Sequence, residues 1–389
     1  MIALTILCIA ITAPIILITG FFALEVFAGL SPVGGAAPPA VSQRVLIVVP
    51  AHDEEAVIAG SVEAVIAGRT GFELLVVADN CTDQTARVAE LAGAQVVVRN
   101  EPERKGKGFA LAAARDFARR DPPDIVIILD ADCRLDGAGM QQLSAAAAAA
   151  ETACQAVNLL TPDLGAPALV QISNFAFMIK NLIRQRGLQR LAGRAHLTGT
   201  GMAFPWTLFE GADLGGSNIV EDLALGLDVA DRARPPQLVE QATVWSPSAS
   251  PTGTLLQRRR WEGGYLATSL KRAPAVVVRS IGRVDPRGLA AGLDLSVPPL
   301  ALLFVLNAVS ILVGVIIAVI GNSLWPVVVQ STVLLAAAVA LTLAWTRDGR
   351  KFASGATLLR LPIYVLWKLP IYLGFVRAGA PKEWLRSGR

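Results

Sequence analysis

RVLIVVPAHDEE, residues Arg44–Glu55, sets an unbroken apolar run, Val45 to Val49, ahead of Pro50 and then turns sharply polar. A short β-branched run closed by proline reads as a buried strand. The same construction recurs downstream. Glu73–Ala78 runs into DNCTD (Asp79–Asp83), Gln95–Val98 forms a third apolar run, and Ile125–Leu129 runs into DAD (Asp130–Asp132). Helical patterns fill the intervals at Glu54–Ala67, Thr82–Ala92 and Gly108–Arg119, with Cys81-Thr82-Asp83 able to cap the second. Strand and helix in alternation predict an α/β fold with a parallel, doubly wound sheet. Ligands in such sheets bind beyond the C-terminal strand ends. His52-Asp53-Glu54, Asp79 and Asp130-Ala131-Asp132 all fall at those ends.

The chain has 389 residues, 53% hydrophobic and 17% charged. That is more apolar and less charged than ordinary soluble domains. The net charge of +4 suits an anionic lipid surface and an anionic substrate such as a nucleotide diphosphate. Nucleic acid is not indicated, because no basic arm or RNA-binding aromatic motif is present. Cys8, Cys81, Cys133 and Cys154 show neither CxxC spacing nor a disulfide framework, which fits a reducing compartment. The histidines are His52 and His196 alone. A zinc site built on histidines is therefore excluded, and any metal is a hard ion held by carboxylates and phosphates, Mg²⁺ or Mn²⁺. His196 carries no functional assignment and is expected to be a buried structural histidine.

The two ends are oily. Met1–Leu24 carries no charge and is long enough to span a bilayer, with a cleaved signal peptide as the competing reading. Leu295–Thr346 is also charge-free and reads as a membrane hairpin of Pro298–Ile320 and Val327–Trp345. Arg44 follows the first span, and Arg347, Arg350 and Lys351 follow the hairpin, whereas the turn Gly321–Pro326 has no basic residue. The positive-inside pattern puts the central region and the C-terminus in the cytoplasm. Thr357–Val376 contains Arg360, Pro362, Lys368 and Pro370, and is expected to lie in the interface with Trp367 and Tyr372 at headgroup depth. A fourth span is the alternative. The basic tail Lys382–Arg389 is expected to touch lipid phosphates. The expected divisions are a transmembrane helix (1–27), a linker (28–43), a cytoplasmic catalytic domain (44–250), an interface region (251–292), the hairpin (293–346) and an interface helix with a basic tail (347–389). Two further helices, Met140–Ala153 and Phe175–Ala192, fall in the central region. The second carries Lys180, Arg184, Arg186 and Arg190, either near the membrane or on a solvated face.

Each polar motif has two readings. Asp130 and Asp132, spaced i and i+2, are turn residues, or they hold a ribose and a metal ion that neutralises a diphosphate leaving group. Asp79 caps the next helix or hydrogen-bonds a nucleobase edge. Lys105 and Lys107 in KGKG lie in a surface turn or reach diphosphate oxygens. Glu221 and Asp222, in VED, cap the helix Leu223–Ala230, or Asp222 is a general base for an acceptor hydroxyl. Gln257–Trp261, QRRRW, is a membrane anchor, or a platform on which Trp261 stacks a sugar while Arg260 holds phosphate. Taken together the functional readings describe transfer of a sugar from a nucleotide at a membrane.

VVPAHDEE (Val48–Glu55), DNCTDQT, DAD, GTGMAF (Gly199–Phe204), VED and QRRRW, in this order over about Arg44–Gly264, resemble the membrane-bound family 2 glycosyltransferases of GT-A fold, relatives of hyaluronan, cellulose and poly-N-acetylglucosamine synthases. The resemblance implies a Rossmann-like GT-A domain and an inverting, metal-dependent transfer from a UDP-sugar. It implies that Pro50, His52, Asp53, Glu54 and Asp79 hold the uridine and that Lys107 and Asp130 lie near the diphosphate, joined by Gln257 and Arg260. Asp132, with Asp130, would hold Mg²⁺ or Mn²⁺. Asp222, assisted by Glu221, would be the base, with Trp261, Gly199, Thr200 and Gly201 at the acceptor. The implied partners are a UDP-sugar, a glycan or polyprenyl-linked saccharide acceptor, membrane lipid, and an accessory subunit or second copy. The implied location is the bacterial inner membrane. His52 stands where the family has tyrosine, and Val220 where it has threonine. About three spans are few for a polysaccharide channel, which favours transfer in envelope or extracellular polysaccharide synthesis over processive secretion. A processive synthase, a glycolipid synthase resembling ceramide glucosyltransferases, and an inactive glycan-binding protein on the same fold are the alternatives. Intact Asp132 and Asp222 speak against the last.

Overall fold

The computed structural model describes residues 2–34, 43–68, 71–215, 221–248, 251–321 and 324–379. The linker residues 35–42, the hairpin turn at 322–323, Val220, the side chain of Glu221 and the basic tail lie outside the described residues. The chain divides into two compact units. One comprises Val33–Thr161 with Gly193–Pro247; the other comprises Met1–Pro32, Pro162–Ala192 and Ser248–Arg389.

The first unit is built on a seven-stranded sheet in the order β3-β2-β1-β4-β6-β5-β7. The strands are β1 Val45–Ala51, β2 Phe72–Asp79, β3 Gln95–Arg99, β4 Ile125–Ile128, β5 Cys154–Leu160, β6 Met202–Pro205 and β7 Gln237–Ser246. β3, β2, β1 and β4 run parallel, β6 is antiparallel to both β4 and β5, and β5 and β7 are parallel. The expected doubly wound, mostly parallel α/β sheet is therefore present. The central strands are apolar throughout because both faces are covered, as parallel sheets require. Val45, Ile47 and Val49 pack on one side with Ile58, Val62, Met140 and Leu143. Leu46 and Val48 pack on the other with Ala110, Leu111 and Ala114.

Several helix boundaries differ from expectation; the helix expected over Thr82–Ala92, for example, runs Thr85–Leu91. The helix after β1 starts at Ile58, because residues 54–57 form a turn whose backbone and side chains bond the loop after β2. The alanine-rich helix runs Gly137–Ala150, three residues earlier than the pattern Met140–Ala153. Asp136 caps it by accepting from the Gly139 N–H at 2.7 Å, and Glu151 ends it in the left-handed region.

The second unit is helical. Four of its helices, among the described residues, are long and apolar enough to cross a membrane: Ala10–Gly29, Leu300–Ile320, Trp325–Gly349 and Leu361–Ala378. Three of them share a buried polar network. Asn307 Nδ2 donates to Thr19 Oγ1 at 2.9 Å, Gln330 Nε2 donates to Asn307 Oδ1 at 2.5 Å, and Ser310 Oγ donates to Gln330 Oε1 at 2.9 Å. Amide and hydroxyl groups that satisfy one another this way fix helix register in an apolar surround. The last helix, Leu361–Ala378, continues through Pro370, and Pro362 sits harmlessly in its first turn. Lys368 is fully buried against Glu262. The helix is thus unbroken at its prolines, and its mid-span lysine is paired, while Arg360 at its start and Arg377 in its last turn are exposed.

The segment Ala168–Ala192 is one helical run with a π-turn at Ile179–Ile183. Two of its four basic residues are buried rather than solvated, while Lys180 and Arg190 are exposed. Arg184 is buried between Glu25 Oε2 and Asp294 Oδ1, both at 2.5 Å, and Arg186 is buried with Asp348 at 3.3 Å.

Candidate active site

In the sheet unit, Ala51 pairs with Ala78 and Val48 with Ile128 in parallel register. Their C-terminal ends therefore open on one edge. That edge carries His52, Asp53, Glu54, Asp79, Asp130 and Asp132, as the strand reading predicts.

The loops after β1 and β2 are laced together. Asp53, at φ 53°, accepts from the Thr82 N–H at 2.6 Å. That backbone N–H holds the Asp53 carboxyl below its ordinary range. The Glu54 N–H donates to Thr85 Oγ1 at 2.7 Å, and His52 Nδ1 lies 2.7 Å from the Asp79 carbonyl. A carbonyl only accepts, so Nδ1 is the protonated nitrogen there. Pro50 lies within β1, opposite Val77.

Asp79 does not cap the helix Thr85–Leu91; Asp83, just ahead of that helix, accepts from the Thr85 N–H at 2.9 Å. Asp79 is buried, and its Oδ1 takes Arg99 Nη1 at 2.5 Å and Asn80 Nδ2 at 3.0 Å. Arg99 lies directly across from Asp79 in the β2–β3 register and also bonds the Arg104 carbonyl and Glu101. Arg99→Ala is expected to lower stability by about 3 kcal/mol, because it leaves a carboxylate buried without its partner. A thermal midpoint unchanged from the parent would show that the pair holds nothing.

Lys107 begins the helix Lys107–Ala118 and is not in a surface turn. Its Nζ meets Asp130 Oδ1 and donates to the Gly199 carbonyl at 2.5 Å. Thr200 Oγ1 accepts from the Asp130 N–H at 3.0 Å. Gly199 and Gly201, at φ 89° and 64°, form the turn before β6. A methyl group on Gly199 would stand 3.2 Å from Asp222 Oδ2 and 3.9 Å from Lys107 Nζ. One on Gly201 would strike Val244 at 2.5 Å, so both positions exclude a side chain. Asp222 Oδ1 accepts from the Leu223 N–H at 2.9 Å, in the first turn of the helix Glu221–Arg232. The turn thus gathers Lys107, Asp130 and Asp222 into one cluster.

Asp130, Asp132 and Cys133 bring oxygen and sulfur atoms within 4.8 Å of one another. Two carboxylates suit a hard divalent ion. Burial, reinforced by the Asp132 and Asp130 carboxylates, pushes the Cys133 thiol well up. The thiol lies 3.3 Å from Asp132 Oδ1.

Residues 42–264, more than half of the chain, match the sequence profile described as Glycosyltransferase like family 2. The chain belongs to this glycosyltransferase family. No curated protein sequence matches it. Among solved structures, a mannosyltransferase from Pyrobaculum calidifontis, in complex with GDP-Man and Mn²⁺, is similar at 18% identity and a TM-score of 0.57. The similarity covers 95% of this chain and 96% of that one, helical segments included, and shows a shared fold. The glucosyl-3-phosphoglycerate synthase of Mycobacterium tuberculosis, with Mn²⁺ and UDP-glucose, is matched at 19% identity and a TM-score of 0.42, over 59% of this chain and 79% of that one.

In this glycosyltransferase QRRRW lies on the helix Pro251–Gly282 of the helical unit. Gln257, Arg260 and Trp261 are half-buried. Arg258 is buried; its Nε donates to Ser173 Oγ at 2.8 Å, and its guanidinium lies 5.2 Å from the Trp261 ring centre. Phe177 packs on the same indole at 5.6 Å. His196 is half-buried, where full burial is expected from sequence. Two residues of the site escape the sequence reading. Gln155 is a buried amide that accepts from the Thr198 N–H at 2.8 Å and donates to the Thr200 carbonyl at 2.9 Å, so it shapes the glycine turn. Arg99 is the other; its only sequence signal is its place at the end of β3.

Proposed function

We propose that this glycosyltransferase moves a sugar from a UDP-sugar to a glycan or polyprenyl-linked acceptor, with inversion, in envelope or extracellular polysaccharide synthesis. The reading places its catalytic domain on the cytoplasmic side of the bacterial inner membrane. The observation that supports it most is the cluster of Lys107, Asp130, Gly199 and Asp222, since it sets a cation, a carboxylate and a candidate base around one turn.

The uridine is assigned to the edge formed by Pro50, His52, Asp53, Glu54 and Asp79, with the His52 ring as a stacking surface. Lys107 is assigned to the diphosphate; for Gln257 and Arg260 the family resemblance supports a role in donor binding. Asp132, with Asp130, is assigned a divalent ion, Mg²⁺ or Mn²⁺. Such an ion, when bound, neutralises the departing diphosphate. The mannosyltransferase of similar fold carries a nucleotide-sugar and Mn²⁺, the same class of donor and ion.

The acceptor hydroxyl attacks the anomeric carbon from the side opposite the diphosphate. The new C–O bond forms as the bond to the diphosphate oxygen breaks, and the hydroxyl proton passes to Asp222. Glu221 is assigned an assisting role, and Gly199, Thr200 and Gly201 are assigned to the acceptor. A carboxylate in this role contributes about 10²–10⁴-fold. Trp261 is assigned to the acceptor sugar as a flat apolar platform. Trp261→Ala is expected to lower transfer to acceptor about tenfold or more, the loss typical of a buried aromatic anchor. UDP release to water should change little, and equal loss of both would remove the stacking role. The direct test is incubation of the membrane-embedded chain with a panel of UDP- and GDP-sugars and Mn²⁺, followed by sizing of the product. A single addition supports stepwise transfer, a ladder supports a processive synthase, and no product from any donor removes the reading.

A further inference from the structure

The buried ion pair between the QRRRW helix and the last apolar helix has no place in the chemistry above. Glu262 follows Trp261 directly. Its Oε1 pairs with Lys368 Nζ, and its Oε2 accepts from Tyr372 OH at 3.0 Å. Lys368 is fully buried, and its ammonium also lies 5.4 Å from the Tyr364 ring centre. An ionised side chain in the middle of an apolar helix is costly, and apolar residues of similar volume commonly serve stability as well or better. In some proteins a buried polar or ionic pair supplies what apolar packing does not, a fixed register between two helices.

We infer that Lys368 and Tyr372 are positioning residues: by gripping Glu262 they fix the helical turn that presents Trp261. The indole is then held from two directions. Phe177 and Arg258 hold its ring, and the Lys368–Tyr372 grip holds the backbone one residue on. The C-terminal apolar helix, which carries none of the family motifs, thereby sets the geometry of the acceptor platform. The functional half of this inference rests on the assignment of Trp261 to the acceptor; the mechanical half does not. A displacement of about 1 Å at such a platform is enough to cost 10²-fold in rate.

The test uses the full chain in detergent micelles with its seven tryptophans fluorinated. The ¹⁹F resonance of Trp261 is assigned by its loss in Trp261→Phe. Lys368→Met is expected to move that resonance by more than its linewidth. Trp206 and Trp245, in the sheet unit, should stay in place. UDP release from UDP-glucose or UDP-N-acetylglucosamine, whichever the parent hydrolyses, should be retained. An unmoved Trp261 resonance overturns the inference. If Lys368→Met loses the fold, seen as collapse of every resonance, Tyr372→Phe decides. It removes one hydrogen bond, and a shift confined to Trp261 and to Trp367, which shares the helix of Tyr372, supports the grip while none overturns it. The double exchange Glu262→Lys with Lys368→Glu should return the resonance toward its parental position. Failure of Trp261→Ala to affect acceptor use, with the Lys368 shift intact, removes the stacking assignment and leaves the grip standing.

Discussion

Asp222→Asn is expected to lower sugar transfer by about 10³-fold, within the usual range for loss of a general base. Binding of UDP and Mn²⁺ should persist. The substitution separates two roles that sequence leaves open. Asp222 Oδ1 accepts from the Leu223 N–H in the first turn of its helix, a local role at a helix start that needs only an oxygen acceptor. Asparagine caps a helix as well as aspartate, so a capping role survives the change. A proton acceptor does not survive it, because a neutral amide cannot take the acceptor's proton. Retained turnover with unaltered stability would reduce Asp222 to a cap. The position beside Gly199 and Lys107 is what makes the loss of activity the expected result.

Asp132→Ala is expected to weaken binding of Mn²⁺ together with UDP by about 10²-fold and to lower turnover with it, since the ion's charge stabilisation amounts to several kcal/mol. Calorimetric titration of Mn²⁺ into the UDP-saturated chain reads the effect. The fold should be little affected. Asp132 is only half-buried, and the Cys133 group beside it is a neutral thiol. Asp130 differs, because it is tied to Lys107 and, through its own N–H, to Thr200. Asp130→Ala should therefore disturb the Gly199 turn as well as the ion. Undiminished Mn²⁺ affinity in Asp132→Ala would place the ion elsewhere, with the second cluster of potential ligands, His52, Asp53 and Cys81, as the place to look.

The edge that carries the candidate site is legible in sequence because it follows from two local signals, where an apolar run stops and where a carboxylate begins. β1, β2 and β4 each end within two residues of the boundary that their patterns predict. The apolar helices are equally legible, since absence of charge over a bilayer's length needs no tertiary context. Helix starts are less so. The start at Ile58 is set by bonds from residues 54 and 55 to the loop after β2, about thirty positions away. The segment Pro162–Ala192 gives no hint that it belongs with the terminal helices, because its basic residues find their partners at Glu25, Asp294 and Asp348.

Sequence by itself determined the strand–helix alternation, the carboxylates at the strand ends and the oily helices. Each is written in a periodicity or composition that a short window contains. Only the tertiary structure decided which partner each charge takes: Asp79 with Arg99, Asp130 with Lys107, Glu262 with Lys368. These partners lie 20, 23 and 106 positions apart. Pairing at such distances is chosen by how strands and helices stack, and it leaves no mark on the local pattern of either residue.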